Sequence, residues 1–228
     1  MTSANLPEYK RGLIDRYTLR AFQWKIPAIL VFNKMDEFHS QFDLSFEEAR
    51  LNDIDVDCYE VSATNPAYKN HYLKFGFEQL KQELKNKTAI LVGQSGVGKS
   101  KLVSSLSDGK FTLLSKELGK VGKGAHTTTW AELVNCGDFY LIDSPGVRSF
   151  AIDDLLVEDL DEYFPDIAEY STKCKFTNCK HLPESKGCYY QTLDPNEIKT
   201  QLIFSRLDSY VRFKEELEKI PSWKKEKN

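Results

Sequence analysis

Residues Gly93–Ser100 read Gly-Gln-Ser-Gly-Val-Gly-Lys-Ser, a G-x-x-x-x-G-K-[ST] loop. It follows the apolar run Thr88–Val92 and precedes a helix-forming stretch that starts at about Lys99. Few architectures accept a strand, a glycine-rich turn and a helix in that order. Glycines let the backbone close on an anion, so that amide N–H groups and the helix N-terminus point at phosphate. Gly93, Gln94, Ser95, Gly96, Val97 and Gly98 would form this cradle. Lys99 would neutralise the β and γ phosphates, and Ser100 would offer its hydroxyl to Mg²⁺.

The rest of the chain fits an α/β sheet that is mostly parallel. Ile26–Phe32 and Thr88–Val92 are continuous apolar runs, the pattern of strands buried on both faces. Val56–Val61, Thr128–Val134 and Phe139–Ile142 read as further strands. Helices are predicted over Tyr9–Phe22, where Leu13, Ile14, Tyr17 and Ala21 share a face, and over Phe77–Leu84. Ser45 and Glu48 form a capping-box pattern for another. Strands alternating with helices give the sheet its flanking layers. After about Phe150 the β pattern stops. Acidic helical sequence begins, and Asp194-Pro195-Asn196-Glu197 predicts the N-terminus of a helix running to about Lys219. The boundary is expected at residue 152, with domains over 1–152 and 153–228.

Other strand ends carry polar motifs. Asn33-Lys34-Met35-Asp36 follows Ile26–Phe32. An Asp carboxylate here accepts from the N1–H and exocyclic amine of guanine, a donor pair that adenine lacks. The aliphatic stem of Lys34 can lie along the base. At Ser62-Ala63, after the next strand, a backbone N–H can meet the guanine O6. Asp143-Ser144-Pro145-Gly146 follows Phe139–Ile142; Asp143 can hold Mg²⁺ through water, and the Gly146 amide can sense a γ-phosphate. Between the phosphate loop and this turn lie Thr127, Thr128 and Thr129. One of these hydroxyls can complete the Mg²⁺ shell, with Thr128 the candidate; β-propensity at a strand start is the competing reason for Thr128 and Thr129 alike. Together the motifs favour GTP and GDP over ATP. Their order is unusual, because N-K-x-D and S-A precede the phosphate loop: a nucleotide domain in circular permutation.

Of five cysteines, Cys174, Cys179 and Cys188 cluster around His181. Three thiolates and one imidazole make a closed tetrahedral Zn²⁺ site of structural type, and its folding energy suits a small helical domain. Cys58 and Cys136 read as packing residues. An odd cysteine count and a polar N-terminus predict a cytoplasmic chain without a disulfide framework or a membrane partner. Net charge is −3, which points to no partner by itself. Eleven lysines against four carboxylates over Pro66–Ala125 make Lys69–Lys123 a candidate RNA face.

These residues resemble the ribosome-small-subunit-dependent GTPases, the RsgA-type circularly permuted family. The likeness rests on the motif order, Leu13-Ile14-Asp15-Arg16-Tyr17, the loop GQSGVGKS, His126-Thr127-Thr128-Thr129, DSPGVRSF and the Cys/Cys/His/Cys cluster. It covers nearly the whole chain. It implies GTP hydrolysis stimulated by the small ribosomal subunit and its rRNA, late in that subunit's maturation, by a protein with a helical zinc domain; a monomer is the expected state. Val147 stands where Ras-like enzymes keep a water-orienting Gln, and the resemblance points to His126 for that contact. Lys99 is the second candidate catalytic group. The alternative is a GTP-gated rRNA-binding module with little turnover. Two departures stand out. The spacing from His181 to Cys188 is one residue longer than the family's usual pattern. The family's N-terminal oligonucleotide-binding barrel has no counterpart, and the strand after it, central to the sheet, is expected to be missing by truncation.

Overall fold

The structure is a computed structural model that describes residues 1–65, 67–109, 132–143 and 151–221. The chain forms two compact units, and their division is not the single cut expected at residue 152. One comprises Met1–Lys10 and Ala28–Ser149, the other Arg11–Pro27 and Phe150–Asn228. The first helix thus belongs with the C-terminal region, although its sequence lies between two strands of the first unit.

In the first unit, β1 (Thr2–Ser3) pairs parallel with β2 (Ile29–Asn33), and β2 pairs parallel with β3 (Asp57–Glu60). A second sheet has the order β4-β6-β5, with β4 (Thr88–Leu91) parallel to β6 (Tyr140–Asp143) and β5 (Glu132–Asn135) antiparallel to it. The expected mostly parallel sheet is therefore present as two three-stranded pieces. They approach at Met1, whose ammonium donates to the Val92 carbonyl at 2.8 Å. Where a central strand is expected, two residues pair with Phe32 and Asn33.

One core serves both sheets. Val31, Tyr59 and Val61 meet Val134 and Leu141, and helices α3 (Phe77–Leu84) and α4 (Lys99–Leu106) add Leu80, Leu84, Leu102, Val103 and Leu106. Alternation along the strands decides which side chains enter: Val134 is buried and Leu133 exposed one residue earlier. Helix α2 (Leu44–Asn52) departs from the predicted capping box. Its cap is Asp43, whose carboxylate accepts from the Phe46 amide at 2.9 Å, two residues before Ser45.

The second unit is helical, with α1 (Arg11–Gln23), α5 (Pro165–Ser171) and α6 (Ile198–Glu218). Leu19 packs with Ile152, Leu155, Leu160, Phe164, Ile167, Ile203, Leu207, Tyr210, Phe213 and Leu217. Helix α6 begins at Ile198 with Glu197 as its cap, three residues later than Asp194 as cap predicts. The Asp194 carboxylate instead accepts from the Asn196 amide, a local turn that competes with the helix. Polar contacts fix α1. The fully buried Asp15 accepts from Arg206 Nη1 at 3.0 Å and from the Ser209 hydroxyl. Arg206 Nε donates to Asp166 Oδ2 at 2.9 Å, and its guanidinium lies over the Phe164 ring. Arg20 pairs with Asp154 and holds that carboxyl below its ordinary range.

Candidate nucleotide site and metal centre

The phosphate loop lies between β4 and α4, as its sequence requires. Gly98 caps α4 with φ 96°, a left-handed conformation that L side chains rarely adopt. A Cβ there would also lie 2.4 Å from Asn33 Nδ2, so the position is closed to side chains twice over. Lys99 is buried, and its ammonium donates to the carbonyls of Gly93 at 2.7 Å and Gln94 at 2.9 Å. A phosphate would have to draw that charge away from the loop's own oxygens.

Asn33 connects the three motif regions. Its Nδ2 donates to the Val97 carbonyl of the phosphate loop at 2.8 Å, and its Oδ1 accepts from the Ala63 amide at 2.8 Å. Residues 30 and 64 positions away are thereby held at one carboxamide. The Ala63 N–H is thus already engaged, and a guanine O6 would compete for it. The Ala63 carbonyl accepts from the Ser105 hydroxyl on α4. Ser62 is buried with its hydroxyl 3.4 Å from that of Thr64. Lys34 takes φ 61° at the start of the short 3₁₀ turn Met35–Glu37, donates from Nζ to the Leu6 carbonyl, and leaves Asp36 exposed. Asp143 ends β6. His126, Thr128 and Gly146, with Thr127, Thr129 and Val147, lie outside the described residues.

Sequence reasoning missed Glu60. It is buried at the end of β3 and accepts from the Tyr68 hydroxyl at 2.7 Å and from the amides of His71, Tyr72 and Leu73 at 2.9, 2.8 and 2.7 Å. One carboxylate thus fixes the loop that leaves Ser62 and Ala63. A charged residue between Tyr59 and Val61 in a predicted strand is the available signal, since buried carboxylates need partners. Glu60→Ala is expected to lower the unfolding free energy by about 2–4 kcal/mol, because the buried Leu73 amide is left unpaired, at about 1–3 kcal/mol, and three part-buried donors lose a charged acceptor. Urea denaturation measures it; a change below about 1 kcal/mol would show that the loop does not depend on this carboxylate.

In the second unit, one ligand atom from each of Cys174, Cys179, His181 and Cys188 lies within 4.8 Å of the others. His181 Nδ1 is 3.7 Å from Cys174 Sγ and 3.8 Å from Cys188 Sγ. A left-handed His181 (φ 58°) and Gly187 (φ 71°) turn the chain between them, so the longer spacing is absorbed in the loop. The Tyr189 amide donates to Cys174 Sγ at 3.3 Å. Burial lowers the His181 pKa and pushes the Cys188 thiol up to about 11. The first favours the neutral, ligating imidazole; the second is a cost that a bound cation reverses. Three soft sulfur donors with one imidazole, four ligand atoms this close together, are a donor set that fits Zn²⁺.

A G-x-x-x-x-G-K-S loop tied through Asn33 to an N-K-x-D segment that precedes it in sequence is the motif order of a circularly permuted P-loop GTPase, the class to which the chain's fold belongs. The chain belongs to the RsgA GTPase family, whose sequence profile matches residues 1–153; it is a GTP-hydrolysing enzyme by that membership. A relative from Phocaeicola vulgatus, named small ribosomal subunit biogenesis GTPase RsgA, is 33% identical over 223 residues, covering 96% of this chain and 67% of the relative. A Geobacillus protein of the same name is 32% identical over 215 residues, covering 94% of this chain and 70% of its own. Among solved structures, YloQ, described as a circularly permuted GTPase, superposes with TM-score 0.62 at 27% identity, covering 95% of this chain and 66% of its own. YjeQ from Thermotoga maritima superposes with TM-score 0.63 at 24% identity and covers 96% and 69%, a likeness of fold.

Proposed function

We propose that this chain hydrolyses GTP to GDP and phosphate under stimulation by the small ribosomal subunit, late in that subunit's maturation. The observation that carries the proposal is the Asn33 carboxamide joining Val97 and Ala63, because it holds the N-K-x-D segment, the Ser62-Ala63 segment and the G-x-x-x-x-G-K-S loop side by side. The relatives' names supply the ribosomal half.

In this reading Asp36 selects guanine, Lys34 flanks the base, and the segment at Ser62 and Ala63 faces its oxygen. Gly93–Ser100 hold the phosphates. Mg²⁺, when bound, would screen phosphate charge, with Ser100, Thr128 and Asp143 as its holders. Lys99 moves from the loop carbonyls to the β and γ phosphates, and the Gly146 amide senses the γ-phosphate. His126 orients the attacking water, a task beyond the hydrocarbon side chain at Val147. Cys174, Cys179, His181 and Cys188 hold a structural Zn²⁺. We place the protein in the cytoplasm as a monomer; no helix among the described residues is long and apolar enough to cross a membrane. We assign the nucleotide domain to residues 1–152 apart from α1, and the zinc domain to residues 153–228 together with α1.

The test is steady-state hydrolysis by this chain, alone and with small ribosomal subunits, against an ATP control. Guanine-selective stimulation by subunits supports the proposal. Tight GTP binding with turnover unchanged by subunits would overturn it in favour of a GTP-gated RNA-binding module.

A further inference from the structure

The candidate zinc cluster leaves one question of chemistry open: which ring nitrogen of His181 faces the metal, and what fixes the ring. A neutral imidazole presents one lone pair and one N–H, so a metal on either nitrogen requires a hydrogen-bond acceptor for the other. His181 Nδ1 is the nitrogen that faces the sulfurs, at 3.7 and 3.8 Å. His181 Nε2 faces away from them and lies 3.2 Å from the Ser171 hydroxyl, the last residue of α5.

The proton of that hydroxyl has its own destination. Ser171 Oγ donates to the Ile167 carbonyl one helical turn earlier, at 2.9 Å. The nearby Tyr190 hydroxyl, 3.4 Å from Ser171 Oγ, donates to the same carbonyl at 2.8 Å. With both hydroxyl protons directed at Ile167, the lone pairs of Ser171 Oγ remain for His181. Its oxygen accepts, so Nε2 carries the ring proton and Nδ1 the free lone pair. Ile167 is fully buried in the core of the second unit, which makes this anchor rigid. The Tyr190 ring, 5.1 Å from the imidazole at 71°, limits its rotation.

We infer that Ser171 is a positioning residue of the metal centre, one that selects Nδ1 of His181 as the ligand atom by accepting a hydrogen bond from Nε2–H. This rests on the reading of the Cys₃His cluster as a zinc site. Partners of this kind, when removed, typically cost about 10- to 100-fold in metal affinity.

Two measurements on the full zinc-loaded chain test it, and neither reads GTP hydrolysis. The first is a two-bond ¹H–¹⁵N histidine spectrum of the unaltered protein, expected to show Nε2 protonated and Nδ1 bound to metal. Coordination through Nε2 would overturn the inference. The second is competition for Zn²⁺ by a chromophoric chelator. Ser171→Ala is expected to lose about 10- to 100-fold in affinity, while Ser171→Thr, which keeps the hydroxyl, stays near the parent value. Equal affinities for the parent and Ser171→Ala would overturn it. A chain that binds no Zn²⁺ at all would overturn the reading of the cluster itself. That result is distinguishable, because parent and variants would then behave alike at every chelator concentration.

Discussion

Asp36→Asn is expected to cost this chain roughly 10²- to 10⁴-fold in affinity for GDP, the loss of two hydrogen bonds to a charged acceptor at about 1.5–3 kcal/mol each. In the proposed reading the aspartate acts through hydrogen-bond chemistry alone. It is exposed on the turn Met35–Glu37, so its replacement by an isosteric amide disturbs no packing. A carboxylate only accepts; an amide presents a donor edge as well. The variant therefore repels the guanine donor pair at one position while offering a hydrogen to a base with a carbonyl there. Titration with fluorescent GDP and with the xanthosine analogue should move in opposite directions, at an unchanged circular dichroism spectrum. A parallel loss for both nucleotides would assign the effect to the phosphate side, and unchanged GDP affinity would remove Asp36 from base recognition.

The second large effect concerns the metal cluster. Structural zinc in small modules supplies about 10–16 kcal/mol of apparent binding free energy near neutral pH, on the scale of a whole domain's stability. With Zn²⁺ in the cluster as proposed, removing it with a strong chelator, or replacing Cys174 or Cys179 by Ser, is expected to loosen the second unit while the first remains folded. Hydrogen exchange locates the change. Amides of α5 and α6 should lose protection, and those of β2 and β3 should keep it. Helix α1 gives the sharper test. Its residues precede β2 in sequence, yet its amides should exchange with those of α6, because Asp15 and Leu19 are buried against the second unit's core and polar groups. Protection of α1 that survives metal removal would overturn this coupling.

How far the residues alone foretell this arrangement depends on the range of the physics involved. The phosphate loop, N-K-x-D and the cysteine cluster were legible because their chemistry demands fixed residue types at short spacing. The strands at Ile29–Asn33 and Thr88–Leu91 were legible from unbroken apolar runs, but the expected burial on both faces holds only for the first: Thr88 and Ile90 are exposed on β4. The destination of α1 was not. Periodicity names the face that a helix buries, not the element that covers it, and Asp15 finds Arg206 at a separation of 191 residues. Glu60 escaped for a related reason, since three of its four donors are backbone amides that any sequence would supply, and only the Tyr68 hydroxyl is particular to this one. Asp43 and Asp194 show the limit of cap reading: several acceptors lie near each helix start, and local turn geometry chooses among them.

The discontinuous second unit also sets a schedule for synthesis. Helix α1 leaves the ribosome early, bearing a carboxylate whose partner has yet to be made. Translation at about 5–20 residues per second places Arg206 roughly 10–40 s behind Asp15. For that interval the first unit can collect its own strands, while α1 must stay outside that core or sit only loosely upon it. A buried ion pair that closes last gives the growing chain a reason to keep this helix in reserve, because Asp15 is costly to bury anywhere that offers no guanidinium.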